Sequence, residues 1–136
     1  MKKYVFGICL LLGIGLYVLG LKFASLKPDC VGCISYNVGE YLTVVANRLV
    51  IDDKEEFARE IIEMRRENSF DTTKFYMDER DSAKNLDINV YQWRRDMDKG
   101  KSMMHIELEP KDFSKGYDFL NHLEEFELYI DGKLVE

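Results

Sequence analysis

Cys30 and Cys33, in the run Cys30-Val31-Gly32-Cys33, are the residues of this chain whose type and spacing most directly suggest chemistry. Two thiols so close in sequence can close a local disulfide, exchange electrons with a partner's disulfide, or supply half of a metal site. A reactive pair of the thioredoxin kind needs its first cysteine at a helix amino terminus after a strand, where the helix dipole lowers the thiol pKa. Here the pair follows an apolar segment and Pro28, and the neighbouring Asp29 disfavours a thiolate. The pattern favours a local disulfide or an idle thiol pair. Redox use of Cys30 and Cys33 remains the alternative function.

A metal centre on these thiols would need His105 and His122 as well. Their separation is far from the roughly three to five residues of a zinc finger. His105 is expected on the polar face of a strand and His122 on the flank of a helix, so no metal and no other cofactor is expected. Asp52/Asp53, Glu55/Glu56 and Glu124/Glu125 are adjacent acidic pairs. Neighbours in a helix point apart, so these serve capping and solubility rather than acid–base catalysis. No nucleophile elbow, phosphate loop or zinc-protease helix occurs, and no catalytic residue is assigned. Tyr91, Trp93, Arg94 and Arg95 combine aromatics with guanidinium groups, a composition common at binding hot spots. They form a candidate binding surface, although packing of Trp93 against the sheet explains its presence as well.

What positions these groups begins with the first 26 residues. Lys2 and Lys3 precede an uncharged run from Tyr4 to Leu21 rich in Leu, Ile and Val. As a helix rising about 1.5 Å per residue, this run approaches the roughly 30 Å of a bilayer core. Phe23, Ala24, Ser25 and Leu26 can extend it, with Lys22 snorkelling to the interface. Residues 1–26 are therefore expected to be an anchor touching membrane lipid through residues 4–26. The rival is a cleaved signal giving a secreted protein. Its cleavage candidates, Val18-Leu19-Gly20 and Lys22-Phe23-Ala24, are poor, and the apolar run exceeds the roughly 7–15 residues of a signal core. Lysines flank both ends almost evenly, but a short amino tail normally stays inside. The expectation is a single-pass protein with its amino terminus cytoplasmic and its carboxy-terminal domain outside.

Beyond the anchor the chain is acidic. The 25 acidic residues all follow Pro28, and without Lys2, Lys3 and Lys22 they face 16 basic ones, a net charge of −9. That balance argues against nucleic acid, whose phosphates attract lysine and arginine clusters. A membrane-proximal protein is the partner that this topology allows.

Residues 27–35 read as a juxtamembrane connector, and 36–136 as one acidic domain. A helix is expected over Lys54–Glu67, capped by Asp52 or Asp53, with Phe57, Ala58, Ile61 and Ile62 as its apolar stripe. Thr43–Ile51 and Lys74–Met77 are expected as strands. Leu86, Ile88 and Val90 alternate with polar residues, as do Met104, Ile106 and Leu108, which predicts a hairpin. A second helix is expected over Asp112–Glu124. Asp131-Gly132 predicts a final two-residue hairpin turn. The fold class is thus α+β: a transmembrane helix, then about two helices packed on an antiparallel sheet.

Overall fold

In the computed structural model, the described residues are 10–17, 19, 26–36, 39–75 and 84–135. A single six-stranded sheet organises the chain after the first 28 residues. Its strands are β1 (Asp29–Tyr36), β2 (Gly39–Val45), β3 (Asn85–Tyr91), β4 (Met104–Pro110), β5 (Phe126–Ile130) and β6 (Lys133–Leu134), and their order in the sheet follows their order in the chain. The helices are α1 (residues 10–17), α2 (Lys54–Arg66) and the single turn α3 (Arg94–Met97).

Helix α2 forms as its sequence dictates. The Asp53 carboxylate accepts from the Glu56 amide at 2.9 Å, closing one of the free donors at the helix start. Glu55 pairs with Arg59 at 2.8 Å one turn later. Phe57, Ala58, Ile61 and Ile62 are buried against the sheet.

The β3–β4 hairpin is also as expected, with Leu86 opposite Leu108, Ile88 opposite Ile106 and Val90 opposite Met104. All six are buried in the core. At the end of the chain Asp131 and Gly132 both take positive φ, 52° and 75°, the conformation a two-residue turn between right-twisted strands demands.

The structure departs from several expectations. The sheet is not wholly antiparallel: β2 and β3 pair in parallel, because α2 crosses over between them and returns the chain to its starting end. Residues 27–35, read as a connector, supply most of β1, which pairs with β2 along its length. No helix spans Asp112–Glu124. Gly116 takes a left-handed φ of 67°, and the carboxylates of Asp112 and Asp118 capture the amides of Ser114 and Asn121. These local bonds compete with helix formation and leave two short 3-10 turns, Phe113–Lys115 and Leu123–Glu125. The buried residue of that segment is Phe119, while Phe113 is exposed.

β2 ends at Val45 rather than continuing to Ile51, and Lys74 and Phe75 lie outside any strand. Met77 lies outside the described residues. Of the expected anchor, residues 10–17 and 19 are described and helical, with Leu10, Leu11, Leu12, Ile14, Leu16 and Leu19 all exposed. Among the described residues, no helix is long and apolar enough to cross a membrane.

Candidate functional site: the open face of the sheet

The period-two pattern of the strands divides the sheet into two faces. Leu42, Val44, Leu86, Ile88, Val90, Ile106, Leu108, Leu128 and Ile130 share the core cluster with α2. Their alternates point the other way: Ile34 and Tyr36 on β1, Tyr41 and Thr43 on β2, Asp87 and Asn89 on β3, His105, Glu107 and Glu109 on β4, Glu127 and Tyr129 on β5. Every one of these alternates is exposed or half-buried.

One end of this open face is aromatic. Ile34, Tyr36 and Tyr41 are 58%, 66% and 45% exposed. Ile34 lies directly opposite Tyr41 in the ladder, and the two tyrosine rings meet edge to face at 5.8 Å. The other end is acidic. Asp87 faces Glu107 across the β3–β4 ladder, and Glu109 faces Glu127 across β4–β5. His105 sits among them, its Nε2 2.9 Å from Asp87 Oδ1 and its Nδ1 3.9 Å from Glu107 Oε2. The Tyr129 hydroxyl donates to Glu127 at 2.9 Å. That hydrogen bond, some burial, and the charges of Glu127, Glu109 and Glu107 hold the Tyr129 phenol above its usual pKa.

The structure brings only part of the sequence-derived binding surface to this face. Tyr91 extends the outer row of β3 opposite Val45 and is half-buried. Trp93 precedes α3 and is half-buried as well, while Arg94 and Arg95 are exposed on α3, beyond the end of the strand. Asp87, His105 and Glu107 come together only in the folded hairpin. The signal was present in the alternation of Leu86-Asp87-Ile88 and His105-Ile106-Glu107, but the register of the hairpin was needed to pair them.

Cys30 and Cys33 come to lie on one face through a bulge. Cys30 pairs with Val44 and Cys33 with Leu42, two positions apart on β2, and the register shifts between Cys30 and Gly32. Three positions in a regular strand would put the thiols on opposite faces, and the extra residue turns Cys33 inward. Both thiols are free, Cys30 buried and Cys33 half-buried. Burial pushes both thiol pKa values up, outweighing hydrogen bonding to Thr73 and Gly32 at Cys30 and to Ser35 at Cys33. Neither thiol stands at a helix amino terminus.

A smaller recess of about 270 Å³ lies between α2 and the β4–β5 side of the sheet, floored by Ile62, Leu108, Leu123, Phe126 and Leu128. The charges at its edge, Arg59 and Glu63, are engaged with Glu55 and Arg66 on their own helix.

Comparison with known protein families, curated proteins and solved structures finds no match for this chain. The functional reading rests on the face itself.

Proposed function

We propose that this chain is a single-pass membrane protein that presents its α+β domain outside the cytoplasm and binds a protein or peptide there without catalysing a reaction. The observation that carries the binding reading is the Ile34–Tyr36–Tyr41 cluster, three large side chains left in solvent on the open face. Grouped exposed aromatics of this kind are enriched at protein interfaces. The carboxylates Asp87, Glu107, Glu109 and Glu127 on the same face set the partner's chemistry: a basic surface carrying an apolar contact.

The membrane reading is supported by Lys2 and Lys3 before the apolar run, and by the exposed leucines of α1, which suit a lipid surround. Asp29, the first residue of β1, follows Leu26 by three positions, so a tethered domain meets only membrane-proximal partners. The thiol alternative has less support, since Cys30 is buried and neither thiol is activated.

The membrane half is tested by carbonate extraction and protease protection on sealed vesicles. Retention of the chain in the pellet, with the domain cleaved only from the outside, is the expected result. Release by carbonate, or amino-terminal sequencing of a mature protein that starts between Leu21 and Pro28, contradicts it. The binding half is tested by photo-crosslinking from position 41.

A further inference from the structure

We propose that Asp87, His105 and Glu107 form a binding site for a divalent transition-metal ion of the zinc type on the open face of the sheet. One ligand atom from each residue lies within 4.8 Å of the others. Two ligands bound at about 2.0–2.2 Å from one ion can lie at most about 4.4 Å apart. Asp87 stands 2.9 Å from His105 Nε2 but Glu107 lies nearest Nδ1, at 3.9 Å, so Glu107 must change rotamer to join an ion held by Asp87 and Nε2. Glu107 is only half-buried and has room to change rotamer.

The backbone beneath the three groups is fixed independently of any ion. Asp87 and Glu107 are direct partners in the β3–β4 ladder, and His105 is opposite Asn89 in the same ladder. The His105 amide donates to Asp131 Oδ1 at 2.9 Å, and the Asp131 amide donates back to the His105 carbonyl at 2.9 Å. Binding therefore reorders side chains, chiefly Glu107, and not the backbone that carries them.

The donor set chooses the class of ion. Two carboxylates alone suit magnesium or calcium, but an imidazole nitrogen suits zinc, nickel, copper or iron. With three protein ligands, the remaining positions fall to water on the exposed side. Glu109 and Glu127 add negative charge nearby without joining the set, which raises the local cation concentration.

The test is a zinc titration of the full-length chain in detergent, read by calorimetry, with cobalt absorption as a spectroscopic reporter. One ion per chain is expected, with at least tenfold weaker binding in His105→Ala, Asp87→Asn and Glu107→Gln. Glu109→Gln, which removes only a nearby charge, should weaken binding by no more than about twofold, and the Cys30→Ser/Cys33→Ser pair should bind as the parent does. Cobalt should show ligand-field bands without a thiolate charge-transfer band. Circular dichroism of each variant separates loss of the site from loss of the fold, and the cobalt spectrum of the parent protein decides the matter even if a variant unfolds. Absence of zinc binding, binding that survives His105→Ala, a thiolate band, or tighter binding of magnesium or calcium than of zinc overturns the proposal.

Discussion

Glu40 and Arg65 meet inside the core, where both Glu40 oxygens accept from the Arg65 guanidinium at 2.6 Å and the residues are 6% and 2% exposed. The guanidinium also lies over the Phe75 ring, 4.0 Å from its centroid, and 5.7 Å from that of Phe119. The pair joins β2 to the last turn of α2, so it fixes where the helix ends over the sheet. Glu40→Gln leaves the guanidinium without this carboxylate in a dry site, a loss of about 3–5 kcal/mol. Replacing both by methionine should cost less than Glu40→Gln alone, because no charge is then stranded. Denaturant midpoints of the three proteins check this, and a double variant weaker than the single one contradicts it.

The register of β3 and β4 predicts unequal costs for adjacent residues. Ile106 is fully buried, so Ile106→Ala should lower stability by about 2–5 kcal/mol. His105→Ala, which removes a half-exposed ring and its bond to Asp87, should cost about 1 kcal/mol or less. Equal shifts in the unfolding midpoint would contradict the facing of this strand.

Asp131 offers a pH readout. The hydrogen bond from Lys54, at 2.6 Å, and then the His105 amide hold its carboxyl below the usual range. A folded pKa that is depressed contributes stability above the unfolded pKa of about 3.9, and that contribution is lost as pH falls through the folded value. Asp131→Asn keeps a residue that tolerates the turn's positive φ but removes the charge. Its melting temperature should fall below the parent's at pH 7, and the gap should close between about pH 4 and pH 2. A gap that persists at pH 2 would show that geometry, not charge, carries the effect.

Burial of Cys30 and Cys33 gives the opposite sign. Their raised pKa values mean that stability is fully present below the unfolded thiol pKa of about 8.5 and is lost as pH rises through the folded values. At pH 7.4 both thiols should alkylate more slowly than an exposed model thiol, Cys30 the slower of the two. A Cys30→Val/Cys33→Val protein should lose less stability than the parent between about pH 8 and 11. Rapid alkylation at pH 6.5 would reverse this reading and favour redox use.

Elements whose cause is local were legible in the sequence: an aspartate cap at position 52 or 53, the stripe of α2, the alternation of β3 and β4, and the Asp131-Gly132 turn. Elements whose cause is distant were not. Pairing of β1 with β2 depends on a bulge at Val31, which no periodicity announces. The parallel pairing of β2 and β3 depends on the α2 crossover, and the Glu40–Arg65 pair joins residues 25 apart in the chain. The helix expected over Asp112–Glu124 lost to Gly116 and to two aspartates that bond nearby amides. Of the candidate site, the strand faces could be read, but their registration into an aromatic end and an acidic end required the sheet.

A photo-crosslinking residue at position 41 of the full-length chain, in intact membranes, should yield a specific protein adduct. The same probe at position 59, on the exposed side of α2, should not. Reversing charge at Glu109 and Glu127 to lysine should reduce the position-41 adduct at least several-fold, and raised salt should do the same. Equal labelling from both positions, an adduct indifferent to charge reversal and salt, or labelling of lipid alone from position 41 would contradict the claim that this face binds a basic protein.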